Sequence, residues 1–317
     1  MIVRWSLGEL PGVLAELGIS RPFLVSSRRW DPLVELSVVG RWAEVPSDRI
    51  EVTLGADGLV AIGGGSAIDT AKAASEATGL LLVSVPTTYS GAEWAPSYGV
   101  RTHDRRMVGG GGGARLGGIV YDVDLTLGLP VSETVGTALN ALAHCAEALY
   151  GTRSDESDRC AIEGAELISR WLPRVVEGPH DREAREGLLR GAAAAGEALA
   201  LAGLALSHAM AQALGGTFGL PHGAMNALTL PPALRYNEPF APEAVARFGQ
   251  AIAAEDDPAG GVQRLARLGG FERLRDFGVP ESELPAVAEM AAARGGNRRN
   301  PRPATAAEIE TLLRSIY

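Results

Sequence analysis

GLVAIGGGSAIDTAKA, residues 58–73, decides the fold. A short apolar run, Gly58 to Ile62, leads into three glycines, and SAIDTAKAASEATG then reads as a helix with Ser66 placed as its N-cap. A strand that passes through glycines into a helix is the start of a crossover unit. Side chains in such a turn would keep a phosphate away from the backbone. The free N–H groups and positive end of the helix that follows favour an anion. The turn is not the GxGxxG fingerprint, and taken alone it equally describes a bare tight turn.

Working outward, RPFLVSS (residues 21–27), LLLVSVPTT (80–88) and GGIVYDVDL (117–125) read as further buried strands. Strands separated by helices pair in parallel, which predicts an α/β layer structure. Residues 30–57 give no clear pattern, and GGGGG (109–113) reads as a flexible loop. After Pro130 the pattern changes to long Ala-rich segments with apolar residues at helical spacing, punctuated by Gly or Pro. The expectation is two domains, an α/β domain with a parallel sheet over 1–130 and an all-helical one over 131–317.

Composition agrees with a globular chain of this size. The 317 residues exceed the roughly 100–200 of one usual domain. Hydrophobic residues make up 46% and charged residues 21%, enough for an ordinary core, while the 5% aromatics predict close packing through Ala and Gly. A net charge of -9 argues against nucleic acid and anionic membranes as partners. Cys145 and Cys160 make neither a disulfide framework nor a thiolate metal site. No secretory signal is visible in MIVRWSLGELPG and no apolar run reaches the ~20 residues of a membrane span, so a cytoplasmic location is expected.

Three of the five histidines fall in two stretches, NALAH (140–144) and HAMAQALGGTFGLPH (208–222). Asn140 and His144 are four apart and share a helix face, as do His208 and Gln212. Pro221 opens a further helix at His222. Three helices thus bring Asn140, His144, His208 and His222 towards one point, either as hydrogen-bonded core residues or as a site. Thr87 and Thr88 end a strand, where parallel sheets line their ligand crevice; a self-satisfied turn accounts for them equally well. Asp69 and Lys72, three apart on the helix, read as a surface ion pair.

Taken together, GGGSAIDTAKA, VPTTYSGAE, IVYDVDLTLGLP, TALNALAHCAEALY, ALGGTFGLPHGAMNALTLPPALRYN and NPRPATAAEIETLL, in this order over nearly the whole chain, resemble the maleylacetate reductases of the iron-containing alcohol dehydrogenase superfamily. The resemblance implies the dehydroquinate synthase-like fold with a cleft between two domains, NAD or NADP as cofactor, a small-molecule substrate and a homodimer. It implies that Gly63, Gly64, Gly65 and Ser66 hold the cofactor pyrophosphate, with Asp69 and Lys72 in the same motif. Thr87, Thr88 and Tyr89 would approach the phosphate and nicotinamide. It also implies that Asn140, His144, His208 and His222 fall where metal-using relatives bind a divalent ion, Fe or Zn, through one Asp and three His. An amide lacks the charge a carboxylate offers a cation, so a metal-free or weakly metallated centre is the preferred expectation; three imidazoles still suit zinc.

The chain departs from the reductase pattern at Gln212, where a histidine is expected, and at Ala209, where a basic residue is expected. Losing an imidazole and a cation argues against the dicarboxylate maleylacetate. In the metal-free mechanism His208 and His222 lie nearest the reacting oxygen, His144 orients them, and Asn140 fixes a tautomer or holds substrate. Arg28 and Arg29 after the first long strand lean towards NADPH, and Asp31 leans the other way. Two alternatives stand beside the reductase. One is a biosynthetic dehydrogenase acting on an alcohol or peptide hydroxyl, with or without loss of CO₂. The other is a non-catalytic nucleotide-binding partner subunit, marked by Gln212 and Asn140. A glycerol-phosphate or dehydroquinate synthase type enzyme would need an intact metal ligand set.

Overall fold

The computed structural model describes residues 1–30, 36–152 and 154–317. Asp31 therefore lies outside the described residues, as does part of the stretch 30–57 that carried no pattern. The chain divides into two compact units, residues 1–88 with 92–128, and residues 89–91 with 129–317.

The first unit is built on a six-stranded parallel sheet: β1 (Ile2–Arg4), β2 (Pro22–Ser26), β3 (Gly40–Trp42), β4 (Gly58–Gly63), β5 (Leu81–Pro86) and, after a hairpin, β8 (Arg115–Val120). The order across the sheet is β1-β8-β5-β4-β2-β3. The central strands β4 and β5 are buried almost throughout and, apart from Ser84, carry no polar side chain, because both faces are covered. Val60 and Ile62 of β4 join Val83 and Val85 of β5 against helix α1 (Leu10–Glu16). Leu59 and Ala61 point the other way, onto Ile68, Ala71 and Ala74 of α2 (Gly65–Thr78). The strand order reverses between β2 and β4, so the carboxyl ends of these strands, Ser26 and Gly63, flank the position where open α/β sheets bind ligands.

Two expectations are corrected. Ser66 does not cap α2; the helix begins at Gly65, and the extended Gly64 is its N-cap, with no side chain in the capping role. The run Gly109–Gly113 is not wholly loop. Strand β7 (Met107–Gly111) pairs antiparallel with β6 (Tyr98–Arg101), and backbone pairing needs no side chain.

The second unit is helical: α3 (Val131–Tyr150), α4 (Asp155–Glu177), α5 (Arg182–Ala202), α6 (Leu206–Phe218), α7 (His222–Asn237), α8 (Pro242–Ala251), α9 (Pro258–Arg267), α10 (Leu284–Ala292), α11 (Gly295–Arg299) and α12 (Ala306–Arg314). Helix α3 is buried almost throughout, and its small residues let neighbours approach closely. At the closest point a Cβ on Gly223 of α7 would fall 2.5 Å from the backbone of Gly136 on α3. That contact places His222 beside the turn of α3 that carries Asn140. Among the described residues no single helix is long and apolar enough to cross a membrane.

Candidate active site

The three histidines do converge. The rings of His144 and His208 stack with centroids 4.7 Å apart and 14° between planes, and His222 lies 5.8 Å from His208. His208 Nε2 is 3.3 Å from Asn140 Oδ1, and Asn140 Nδ2 donates to the carbonyl of Ser90 at 2.9 Å. The Ser90 bond fixes the amide: the nitrogen faces the backbone and the oxygen faces the imidazoles. A carboxylate at 140 would set an oxygen against the Ser90 carbonyl.

Two residues of this cluster escaped the sequence reading. Asn226, fully buried on α7, donates from Nδ2 to Asn140 Oδ1 at 2.7 Å and lies 3.1 Å from His222 Nε2. It stands four residues after His222, so the spacing that paired Asn140 with His144 also marks it. Glu147, one turn beyond His144 on α3, is buried, with its carboxylate 2.7 Å from His208 Nδ1. The centre gathers three imidazoles, two amides and one carboxylate from α3, α6 and α7, with His144 joined to it by its ring stack on His208 and the rest by hydrogen-bond contacts.

Gln212 sits one turn after His208 on α6 and is half-buried. Arg294 donates to its side chain at 3.3 Å and to its carbonyl at 3.2 Å. A cation therefore stands beside the position where the sequence shows a lost imidazole. This tempers the argument against an anionic substrate, and no local pattern links residues 82 apart.

In the α/β unit, the turn between β4 and α2 has the properties of a phosphate cradle. Gly63 has φ 154, and a Cβ there would fall 2.7 Å from Ala67. A Cβ on Gly64 would fall 2.8 Å from Thr88. The first turn of α2 has no side-chain cap, and the buried hydroxyl of Thr88 finds no partner among the described residues. These features fit a dinucleotide pyrophosphate. Thr87 is buried and its N–H donates to Gly63 at 3.0 Å. Arg41 of β3, also missed, donates to the carbonyls of Ser26 and Ser27 at 3.3 and 3.0 Å, at the carboxyl end of β2. Arg28 is exposed beside them, and Arg29 donates to the Gly128 carbonyl at 3.3 Å.

Three residues assigned to the cofactor have other partners. Lys72 is 1% exposed and donates to the carbonyls of Ala92 and Ser97, holding that turn against α2. Burial pushes its pKa down, against the pull of Asp69. Asp69 accepts from Gly99 at 3.3 Å, and burial pushes its carboxyl up against the pull of Lys72. The pair is an internal tie, not a surface ion pair. Tyr89 is fully buried, its hydroxyl accepting from Arg185 at 3.2 Å.

Comparison with known proteins fits this geometry. Residues 134–317 match the Fe-containing alcohol dehydrogenase family, C-terminal, and residues 50–111 match the iron-containing alcohol dehydrogenases. Maleylacetate reductase 1 of Rhodococcus opacus is 36% identical over 83% of this chain and 73% of its own length. The iron-containing alcohol dehydrogenase of Corynebacterium glutamicum superposes with TM-score 0.87 at 30% identity, covering 100% of this chain and 94% of the other. Maleylacetate reductase of Agrobacterium tumefaciens does so with TM-score 0.84 at 29% identity, covering 100% and 95%. The chain belongs to the iron-containing alcohol dehydrogenases. It is accordingly an oxidoreductase of the NAD(P)-dependent kind that acts on C=O or CH–OH groups.

The iron in the family's name finds a poor donor set here. Among the described residues no three His, Cys, Asp or Glu side chains are arranged to hold one metal ion. The position of a charged ligand is taken by a neutral amide, whose oxygen already accepts from Asn226. Two of the imidazoles lie face to face, so their nitrogen lone pairs do not aim at a shared centre.

Proposed function

We propose that the chain reduces the carbonyl group of a small substrate carrying an anionic group, with NADPH preferred to NADH, and that the imidazole–amide network moves the proton. The observation that carries the proposal is the convergence of His144, His208 and His222 on Asn140, with Glu147 behind His208.

Bound NADPH supplies the hydride. Gly63, Gly64, Gly65 and Ser66 hold its pyrophosphate at the start of α2, with Thr87 and Thr88 beside them, while Asp69, Lys72 and Tyr89 support that turn and its neighbour from within. Arg28 and Arg41 favour a 2′-phosphate by their positive charge at the end of β2. As the carbonyl carbon gains hydride, its oxygen takes the electron pair of the π bond and a proton from His208 Nε2. Imidazole suits that exchange because it titrates near neutrality. His222 lies beside the same oxygen and His144 stacks on His208 to hold its plane. Asn140 Oδ1, 3.3 Å from His208 Nε2, orients that ring. Arg294, presented by Gln212, attracts the substrate's anionic group; the maleylacetate reductases among the relatives are named for a dicarboxylate substrate.

His208→Ala lowers kcat roughly 10²–10⁴-fold, the usual worth of acid–base assistance. Turnover by protein stripped with chelator and free of metal by elemental analysis equals that of untreated protein. Undiminished turnover by His208→Ala, or activity that vanishes on chelation and returns with Fe²⁺ or Zn²⁺, overturns the mechanism.

A further inference from the structure

Helix α7 carries two consecutive prolines in its interior, Pro231 and Pro232. Neither has an N–H, so the carbonyls of Ala227 and Leu228 lose the donor that a helix supplies four residues on. Among the described residues no side chain donates to either carbonyl. Both residues are buried. A buried carbonyl without a donor is costly, and it marks a place where a water or a ligand supplies the missing hydrogen.

These two residues open onto a cavity. With Pro231 they form one wall of a space of about 150 Å³ in the helical unit. Arg267 of α9 lines it too, followed by Phe271, Glu272 and Arg273 beyond the end of that helix. In an apolar setting such a volume takes one molecule the size of benzene. No residue of the imidazole centre lines it, so this is a second site, although Ala227 directly follows Asn226 in the chain.

The lining is unbalanced in charge. Arg267 and Arg273 are exposed, and among the described residues neither guanidinium has an ion pair or a hydrogen-bond partner. Other arginines of the helical unit are engaged, Arg190 with Glu186 and Arg302 with Glu308. Glu272 is the one acid on the lining, so two cations face one anion. Guanidinium groups grip a carboxylate through paired N–H donors. The α7 carbonyls accept only, and so call for a hydroxyl or another donor. A molecule no larger than benzene carries both groups on neighbouring carbons, and Leu228 and Phe271 cover its apolar part. The surplus positive charge favours a net anion over a zwitterion. We infer that this cavity binds a small 2-hydroxy carboxylate, its carboxylate on Arg267 and Arg273 and its hydroxyl on the carbonyls that the two prolines leave free.

Ligand-observed NMR titration of the full chain with lactate, propionate and lactamide tests this. Propionate lacks the hydroxyl and lactamide lacks the charge. Lactate binds with a Kd on the order of 1 mM, within reach of so small a ligand. It binds roughly 3–10-fold tighter than propionate, the worth of one neutral hydrogen bond. It binds roughly 10–100-fold tighter than lactamide, the worth of a charge-assisted one. Arg267→Ala combined with Arg273→Ala weakens lactate by that second factor; both side chains are exposed, so the fold is kept.

The prolines give the sharper test. Pro231→Ala combined with Pro232→Ala returns the missing N–H groups, and the helix takes up both carbonyls itself. Alanine suits a helix interior far better than proline, so this variant folds. Its preference for lactate over propionate falls to about 1, because the hydroxyl has lost its acceptors. A cavity merely enlarged by removal of the rings changes both ligands alike and leaves the ratio standing.

Lactate is also small enough for the imidazole centre, where Arg294 is the cation. Arg294→Ala separates the two places and leaves lactate binding at the cavity intact. If lactate binding is lost in Arg294→Ala and kept in the double arginine variant, the cavity is not its site, and the inference falls while the proposed function stands. The inference also falls if wild-type protein shows no saturable binding of lactate, if lactamide binds as tightly as lactate, or if the preference over propionate survives both proline substitutions. None of these readouts depends on whether the protein reduces a carbonyl.

Discussion

Replacing Asn226 by Asp changes the centre by one atom and inverts its hydrogen bonding. The two side chains have the same shape, so no cavity forms and packing of α7 on α3 is unaltered. The amide nitrogen of Asn226 now donates to Asn140 Oδ1 at 2.7 Å and meets His222 Nε2 at 3.1 Å. In the variant an oxygen stands at 2.7 Å from an oxygen, with no hydrogen between them. Each lost bond costs about 1 kcal/mol, and a buried acceptor left facing another adds about 1–3 kcal/mol. The total expected is about 3–5 kcal/mol. Thermal and urea unfolding followed by circular dichroism check this, with Asn226→Leu beside it: the leucine loses the bonds but creates no opposed oxygens, so it destabilises less. Turnover follows the same order, because His222 loses the group that orients it. If Asn226→Asp is as stable as wild type at neutral pH, or more stable than Asn226→Leu, the amide nitrogen does not face Asn140 and the network is drawn wrongly.

Other predictions concern the frame around the centre. Gly91 has φ 71, and a Cβ there would lie 3.0 Å from Gly196 Cα and 3.2 Å from the Ala192 carbonyl of α5. Since the neighbours are backbone and cannot turn aside, Gly91→Ala costs roughly 2–4 kcal/mol from the left-handed conformation and the overpacking together. It also shifts the Ser90 carbonyl away from Asn140, so kcat and melting temperature fall in the same variant. At the C-terminus, the Thr305 backbone N–H, then the Arg302 guanidinium, hold Glu308 down to about 2, below its ordinary 4.5. A lowered folded-state value means that its contribution is complete above 4.5 and is lost as pH falls towards 2. Glu308→Gln therefore lowers the melting temperature above pH 4.5, flattens the acid limb of the profile, and converges on wild type as pH falls towards 2.

The parts of the fold legible in the sequence are those whose environment leaves a pattern. β2, β4, β5 and β8 are apolar runs because they are covered on both faces, and their glycine and proline boundaries mark them off. β1 and β3 escaped because they are three residues long and lie at opposite edges of the sheet, where one covered side leaves no run to detect. The hairpin strand β7 escaped because Gly109–Gly111 has no side chains to alternate. In the centre, Asn140, His144, His208 and His222 were visible by residue type and helical spacing. Asn226 carried the same signal with a less suggestive residue. Glu147 did not: a glutamate on an Ala-rich helix ordinarily faces water, and only the start of α6, far along the chain, shows why this one is buried. Arg41 and Arg294 depend on tertiary approach and leave no local trace.

The three residues Tyr89–Gly91 have a consequence for any attempt to take the molecule apart. They belong by their packing to the helical unit, yet the chain on either side of them belongs to the sheet. Severing the protein after Gly128 would thus deliver a C-terminal fragment with Arg185 missing the Tyr89 hydroxyl and Asn140 missing the Ser90 carbonyl. A fragment that regains its function must be rebuilt with that tripeptide restored, by permutation of the chain or by a linker that carries it.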